Sequence, residues 1–225
     1  MTGRPATEFQ RARRPEQQDQ RRSAILEEAE ALLADVPVQD LSLRELSRRL
    51  GTPKSNVVRY FGTREGVLLE LLQRGRDRWL LALESELGSG PGGSGPLVES
   101  WARTLAADPL LCQLWSQLAT VLERNVSVDS IRRHKLAELE HRQRLARLVR
   151  CRVPGIGDAG ALHMTRVATV ALAGLWPFCS PTQAMTEATA DPRLHESRMD
   201  FATAYADILG ITLTGLLARE RASET

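Results

Sequence analysis

Residues 41–65 read LSLRELSRRLGTPKSNVVRYFGTRE and contain two short helical segments on either side of one glycine. Ser42 stands three residues before a glutamate, the spacing of a capping box, and so predicts the start of the first helix. Gly51 suits a tight turn, because glycine adopts positive φ without strain. Thr52 followed by Pro53 predicts the second helix start, since proline lacks only an amide hydrogen that has no partner there. The segment is therefore predicted to form a helix-turn-helix.

The second helix, predicted over residues 53–60, carries donors for base edges or phosphates, namely Lys54, Ser55, Asn56 and Arg59. Val57 and Phe61 are four residues apart and are predicted to face inward. Residues 41–64 hold six basic side chains and one acidic side chain, a net charge of +5, whereas the whole chain carries +2. Neutralisation of DNA phosphates requires such a local excess. We expect Lys54, Asn56 and Arg59 to read the DNA sequence.

The sequence around this segment resembles the N-terminal domain of tetracycline-repressor-like transcriptional regulators over about residues 18–70. The resemblance comprises apolar positions of an opening helix, the run 41–46, the turn glycine and the run 60–65. The opening-helix positions are Ile25, Leu26, Ala29 and Leu33. The resemblance implies that Thr63 caps the fourth helix and that Arg64 contacts a phosphate.

The candidate DNA-contacting residues are therefore Ser42, Arg44, Thr52, Lys54, Ser55, Asn56, Arg59, Tyr60, Thr63 and Arg64. Three positions depart from the family pattern. Val58 replaces a tyrosine that often touches the DNA backbone, Pro37 replaces a glycine, and Leu41 replaces a threonine. The replacement of the tyrosine by Val58 removes one expected phosphate contact and leaves the expected fold unchanged.

The chain is predicted to divide into three parts. Residues 1–20 are rich in arginine and poor in apolar side chains, so we expect a flexible basic arm. Residues 21–66 form the DNA-binding domain, whose first helix is predicted to run from residue 15 or 20 to residue 34. Residues 67–225 form a larger helical domain that binds an effector and dimerises.

Helical periodicity continues beyond the motif, and no alternating strand pattern accompanies it. A long helix from Thr63 to residue 87 is followed by the glycine-rich residues 88–96, which predict a surface loop and lack the ending of a phosphate-binding loop. Further helices are predicted over residues 97–107, 110–124, 128–152, 159–176 and 195–221. The fold class is all-α, with an N-terminal three-helix DNA-binding domain and a larger helical ligand-binding and dimerisation domain.

Other classes of protein are disfavoured. The N-terminus lacks the apolar core of a signal peptide, and three widely spaced cysteines argue against a disulfide framework or a metal motif. Residues 159–179 are apolar but contain Arg166, which costs about 2.5–3.5 kcal/mol inside a membrane. His163 and two of the cysteines lack the spacing of a catalytic motif. We expect a cytoplasmic protein without cofactor, metal, membrane span or enzymatic activity.

The effector site is expected among tryptophans of the second domain. Three tryptophans, at positions 101, 115 and 176, belong either to an ordinary core or to the wall of a ligand cavity, and the resemblance favours a cavity. Gln113, Gln117 and Thr169 are polar candidates near them. The candidate ligand-binding residues are Trp101, Cys112, Trp115, His163 and Trp176.

Two apolar helices predict a dimer. Residues 159–176 and 195–221 carry more apolar surface than one subunit readily covers, and they resemble the helices that family members pair across a two-fold axis. The candidate dimerisation residues are Val167, Val170, Ala171, Leu209, Thr212, Leu213 and Leu216. The basic helix at residues 128–152 is predicted to present a solvated face, with an acidic partner or an anionic effector as the alternative.

The predicted function is sequence-specific regulation of transcription. A homodimer would bind a palindromic operator in double-stranded DNA and act as a repressor that a small apolar effector releases. The alternative is a helical protein-binding adaptor without operator recognition, which would leave the +5 charge of the motif unexplained.

Overall fold

The structure is a computed structural model that describes residues 7–88, 90 and 92–223. These residues form ten α-helices joined by turns, and they contain no strand, which confirms the all-α prediction. The helices are α1 (Thr7–Asp35), α2 (Leu43–Arg49), α3 (Lys54–Phe61), α4 (Arg64–Leu87), α5 (Ser94–Ala106), α6 (Pro109–Ser116), α7 (Val128–Arg152), α8 (Asp158–Cys179), α9 (Gln183–Ala188) and α10 (Phe201–Ser223).

The first helix is longer than the sequence pattern predicts. It begins at Thr7 instead of residue 15 or 20, so much of the expected arm is helical. Arginine, glutamine and glutamate dominate this segment, and these straight-chain residues lose little rotamer freedom in a helix. Residues 1–6 of the expected arm lie outside the described residues.

The N-terminal helices pack around a small apolar core. Ala29 of α1, Leu46 of α2 and Val57 of α3 are fully buried, together with Val67 at the start of α4. Phe61 is also buried, so the predicted inward face of α3 is confirmed. A helix whose outer side is polar gains stability in this way from tertiary packing of its apolar face.

The two helix starts in the motif differ in detail from the prediction. Ser42 Oγ accepts the amide hydrogen of Arg44 at 3.3 Å, and the Glu45 carboxylate bonds to arginines of its own helix instead of completing a capping box. The reason is that charge-assisted bonds to guanidinium groups are stronger than a bond to a neutral amide. Gly51 has φ +60°, as the predicted turn requires.

The second helix starts one residue late, because Pro53 occupies the cap position and α3 begins at Lys54. Thr52 makes no capping bond, so that prediction is wrong. Its Oγ1 instead accepts a hydrogen bond from Asn56 Nδ2 at 2.9 Å. The amide side chain of Asn56 thus takes the acceptor that a capping amide would have used.

The second domain is built around α4, which is continuous with the DNA-binding domain. Its Trp79 ring lies 5.9 Å from that of Trp101 on α5 and 6.0 Å from that of Trp115 on α6. α10 packs on α5 and α8, and the buried Tyr205 hydroxyl donates to the Ala168 carbonyl at 2.9 Å. Aromatic and aliphatic side chains from five helices therefore share one core.

Three boundaries in this domain were predicted wrongly. α5 begins at Ser94, inside the expected loop, because Pro96 falls in the first helical turn, where its missing amide hydrogen is not needed. The expected helix at residues 110–124 ends at Ser116 and continues as a π-helical turn, Leu118–Leu122. α10 begins after Asp200, whose carboxylate accepts the Thr203 amide hydrogen at 2.9 Å. The short helix α9 was not predicted.

Among the described helices, α10 alone is long and apolar enough to cross a membrane by length and composition. Its inner face enters the protein core, where Leu209 and Leu213 are fully buried. Packing in the core accounts for the apolar composition of this side of the helix.

Candidate nucleic-acid interface

The outward face of α3 is formed by Lys54, Ser55, Val58 and Arg59, all of which are exposed. These positions follow helical spacing and lie opposite the buried Val57. Val58 is 39% exposed and was not among the predicted contacts, although its spacing of four residues from Lys54 places it on the same face. An apolar side chain there is suited to contact a thymine methyl group.

Three of the six basic residues of the motif are tied to acidic neighbours. Arg48 lies 2.6 Å from the Glu45 carboxylate, and Arg49 lies 3.3 Å from Asp35. Arg48 and Arg49 hold the pKa of the Glu45 carboxyl down at about 2, with the Arg48 hydrogen bond as the largest cause. These pairs reduce the charge that the motif offers to DNA.

Arg64 is the third basic residue with an internal partner. Its Nη2 lies 3.0 Å from Glu65, and its Nη1 donates to the Gln39 carbonyl at 2.6 Å. The predicted phosphate contact would therefore compete with bonds that fix the loop before α2. Within the described part of the chain, the side chains of Arg44, Lys54 and Arg59 have no ion-pair partner, so the available positive charge is concentrated on α3 and the start of α2.

A second basic cluster extends this surface toward α1. Arg59 Nη2 donates to Tyr60 Oη at 3.4 Å, and its guanidinium carbon lies 5.2 Å from the centre of the Tyr60 ring. The hydrogen bond from Arg59, and secondly one from Arg21, lower the pKa of the Tyr60 hydroxyl. Arg21 was missed by sequence reasoning, although it lies one turn before the buried Ile25. It lines a surface groove with Thr52, Asn56 and Arg59.

The remaining predicted contacts occupy intermediate positions. Asn56 and Thr52 are half-buried in that groove and bonded to one another, so reading of an adenine by Asn56 would replace their bond. Thr63 Oγ1 accepts the Gly66 amide hydrogen at 3.1 Å, which confirms the predicted cap of α4. Ser42 is exposed beside Arg44 at the start of α2.

The predicted effector-binding residues do not form one site. Trp101, Cys112 and Trp115 are buried in the core, and the Cys112 thiol donates to the Leu105 carbonyl at 3.2 Å. Burial raises the pKa of this thiol, which makes it unreactive. His163 is exposed in a cleft between α8 and α10, so its grouping with the tryptophans is wrong.

Trp176 is also separate from the other candidates, because it lies near the C-terminal end of α8. Its half-buried ring lies 5.0 Å from that of Phe201 on α10. Three of the five candidates therefore share the interior between α4, α5 and α6, and two lie elsewhere. Helical spacing alone could not reveal which turns of different helices meet.

The predicted dimerisation residues also divide into two groups. Leu209, Leu213 and Leu216 are buried within the single chain, so their assignment to an outer face is corrected. Packing of α10 on α5 and α8 covers them. Val170 is 71% exposed, whereas Val167, Ala171 and Thr212 are half-buried along the same helices. Ile211, which is 66% exposed, was not predicted.

A helix-turn-helix with a basic outward helix, joined by one continuous helix to a helical bundle, defines a DNA-binding transcriptional regulator. Residues 25–71 match the family model of bacterial regulatory proteins of the tetR family. Residues 73–220 match that of the tetracyclin repressor-like C-terminal domain. The chain therefore belongs to the TetR family. Proteins of this family bind operator DNA and small-molecule effectors, typically as dimers.

Solved structures of similar fold include a protein of Pseudomonas aeruginosa PAO1 described as a transcriptional regulator. It is 18% identical, with a TM-score of 0.53, and the match covers 91% of this chain and 94% of that one. The fatty acid degradation regulator FadR of Bacillus halodurans is 14% identical, with a TM-score of 0.55 and coverage of 87% and 95%. At these identities the likeness concerns the fold alone. No protein of curated function matches the sequence significantly.

Proposed function

We propose that this protein is a cytoplasmic, homodimeric repressor that binds a palindromic operator and is released by a small, largely apolar effector. Residues 21–66 would contact DNA, and residues 67–225 would bind the effector and dimerise. The observation that carries the proposal is the outward face of α3, where Lys54 and Arg59 have no carboxylate partner among the described residues. The role is regulatory and not enzymatic.

In this proposal the two α3 helices of a dimer enter successive major grooves, with half-sites about 34–36 Å apart. Lys54 and Arg59 donate to base edges, and Val58 contacts a thymine methyl group. Arg44 and Arg21 bind phosphates on either side of the helix. These contacts require α3 to be presented at a defined spacing, which only the dimer provides.

The dimer is proposed to form through the outer faces of α8 and α10. Val170 and Ile211 expose most of their apolar surface there, and the half-buried Val167, Ala171 and Thr212 lie alongside. Pairing of these faces in two copies would make a four-helix bundle. The burial of apolar area supplies its driving force.

Release from DNA is proposed to act through α4. This helix begins at Arg64 beside α3 and carries Trp79 into the cluster of core tryptophans, so a shift of α4 at that cluster moves the reading helix. An effector that binds more tightly to the geometry unsuited to the operator lowers the DNA affinity by that difference.

The test is a gel shift on palindromic DNA adjacent to the protein's own gene. Lys54→Ala and Arg59→Ala should each weaken binding by about 1–3 kcal/mol, because each removes a base-edge donor. Arg103→Ala is the matched control, since it removes an exposed arginine of α5 that pairs with Glu86. Unchanged affinity in both α3 variants would exclude α3 as the reading helix.

A salt titration separates this function from the adaptor alternative. Neutralisation of phosphates releases counterions, so the affinity of a DNA-binding dimer should fall steeply with salt. A slope near zero would favour an adaptor that binds another protein. Arg44, Lys54 and Arg59, which have no carboxylate partner in the described part of the chain, favour the steep slope.

A further inference from the structure

The interior of the second domain contains an arginine whose guanidinium makes no hydrogen bond within the described part of the chain. Arg76 of α4 is only 1% exposed, and its Nε, Nη1 and Nη2 have no hydrogen-bond partner among the described residues. Buried charged groups are almost always paired, because an unpaired one is costly to remove from water. This position therefore needs an explanation beyond packing.

Arg76 borders a small cavity between four helices. The cavity has a volume of about 20 Å³, and its lining includes Trp115 of α6, His141 of α7 and Thr165 of α8. The Arg76 guanidinium carbon lies 5.7 Å from the centre of the Trp115 ring. The His141 ring lies 6.0 Å from that of Trp115 and 5.9 Å from that of Trp79. The Arg76 guanidinium therefore lies beside a cluster of aromatic rings.

Two further polar groups near Arg76 have no partner. His134 and His141 lie on one face of α7, both are buried, and neither ring nitrogen of either residue has a hydrogen-bond partner among the described residues. Burial, and secondly the Arg76 charge, lower their pKa values to about 4 and about 3. Both rings are therefore neutral at physiological pH, and each has one N–H to donate.

The charges of Glu138 and Asp77 act on Arg76, but neither carboxylate forms an ion pair with it among the described residues. Glu138 also lines the cavity, but its carboxylate accepts a hydrogen bond from Lys135 at 3.1 Å, and it forms no ion pair with Arg76 within the 4.0 Å limit of such a contact. Asp77, next to Arg76 in sequence, is exposed. Arg142 adds a second basic side chain to the lining. The cavity lining itself therefore carries two basic side chains, Arg76 and Arg142, against one carboxylate, Glu138.

Water alone does not satisfy Arg76. A cavity of about 20 Å³ holds roughly one water molecule, which accepts two hydrogen bonds, whereas a guanidinium has five donors. A carboxylate offers two oxygens with four acceptor sites and matches the planar fork of an arginine. Its negative charge also compensates the buried cation, which a neutral group cannot do.

We propose that Arg76, with His141 and Trp115, forms the binding site for the carboxylate of an aromatic or apolar organic acid. This inference rests on the proposed function, since it names the chemical class of the effector. Arg76 pairs with the carboxylate, His141 donates its N–H, and the effector body packs against the tryptophans. The cavity, which has room for about one water molecule, widens to admit that body.

The site is connected to the DNA-binding domain by two helices. Arg76 lies on α4 about 18 Å from the helix start beside α3, given a rise of about 1.5 Å per residue. His134 of α7 lines a second small cavity with Arg22, Tyr60 and Phe61 of the DNA-binding domain. A ligand that draws Arg76 toward α7 therefore shifts α4 and α7, the two helices that lie next to α3.

The experiment follows tryptophan fluorescence while benzoate or its uncharged isostere benzamide is added at constant ionic strength. Trp79, Trp101 and Trp115 lie together near Arg76, so occupation of the site changes their emission. Benzoate should produce a saturable change, and benzamide should bind at least tenfold more weakly. Arg76→Met should abolish the benzoate response, whereas the surface control Arg103→Met should retain it.

Folding of the variant is checked by thermal unfolding. Arg76→Met should unfold at a higher temperature than the natural protein, because it replaces an unpaired buried charge by an apolar side chain of similar length. The comparison of benzoate with benzamide in the natural protein needs no variant. This comparison therefore tests the carboxylate site even if Arg76→Met does not fold.

Three results would overturn the inference: no saturable response to benzoate, equal binding of benzamide, or an unchanged response in Arg76→Met. Chloride that competes as strongly as benzoate would show an unspecific anion site and would also overturn it. The proposed function is judged separately by gel shift. Benzoate that binds without releasing DNA removes the effector mechanism and keeps the site, whereas release by benzamide alone keeps the mechanism and removes the site.

Discussion

His141 lies with both ring nitrogens buried between Trp79 and Trp115, and this position affects how the protein responds to acid. The same holds for His134, seven residues earlier on the same face of α7. Burial holds the pKa of each imidazole below its ordinary value of 6.5. The two imidazoles therefore bind protons more weakly in the folded protein than in the unfolded chain.

The consequence is a loss of stability in acid. Above pH 6.5 both states leave the imidazoles neutral, and as the pH falls toward about 3 the unfolded state gains the proton first. Each histidine should therefore lower the free energy of unfolding by about 1.4 kcal/mol per pH unit, His134 from pH 6.5 down to about 4 and His141 from pH 6.5 down to about 3. His141→Phe should remove one of the two contributions, as measured by urea denaturation at several pH values.

The control for this prediction is His163→Phe, which changes an exposed histidine of α8. It should leave the pH dependence as it is in the natural protein. An identical acid response in His141→Phe and the natural protein would contradict the assignment of the effect to the buried ring.

At the scale of the element, the junction of α3 and α4 depends on two glycines. Gly62 ends α3 with φ +74°, and its amide donates to the Val58 carbonyl at 2.7 Å. Gly66 lies in the first turn of α4, where an added Cβ would overlap the carbonyl oxygen of Phe61. The reading helix is thus held against backbone that leaves no room for a side chain.

Gly66→Ala should lower the free energy of unfolding by about 1–3 kcal/mol, because the backbone must shift to admit the methyl group. The same shift displaces α3, so DNA affinity should fall as well. Gly75→Ala is the matched control on the same helix, since its Cβ would lie 3.0 Å from Cδ1 of the flexible Leu111 side chain.

The control should change stability by less than about 1.5 kcal/mol, because the Leu111 side chain can move and alanine favours the helix. Urea denaturation and gel shifts on both variants measure the two effects. Equal losses of stability in Gly66→Ala and Gly75→Ala would show that the backbone at the α3–α4 junction is not packed more closely than elsewhere on α4.

At the scale of the whole molecule, DNA recognition requires two copies of the reading helix. The outer faces of α8 and α10 carry Val170 and Ile211, which are strongly exposed in the single chain. Exposed apolar side chains on adjacent helices favour association, because their burial removes apolar area from water. This is the surface on which the proposed dimer depends.

The double variant Val170→Asp with Ile211→Asp should be monomeric, because two copies would bury unpaired carboxylates. Light scattering should give 24.9 kDa for the variant and twice that mass for the natural protein. Leu136→Asp, on the exposed side of α7, is the control and should remain dimeric. A natural protein of 24.9 kDa at micromolar concentration would contradict the dimer.

The sequence was sufficient for the helix-turn-helix, the all-α class and the family, because these depend on signals close together in the chain. Gly51, Thr63 and the pair Val57 and Phe61 act within one or two helical turns, and the structure agrees with each of them. Even here, the details of capping at Ser42 and Thr52 depended on which neighbouring donor competes best.

Only the tertiary structure decided which side of each helix is covered and which charges are paired. Leu209 and Val170 are both apolar residues on long helices, yet one is buried and the other exposed, because distant helices cover one face only. Arg76 looks in sequence like Arg74 and Arg78 of the same helix, which have partners on α1. Arg76 instead lies on the side of α4 that faces the interior, where helices α6, α7 and α8 cover it. Its burial makes it a binding-site candidate, and that burial depends on how four helices pack together.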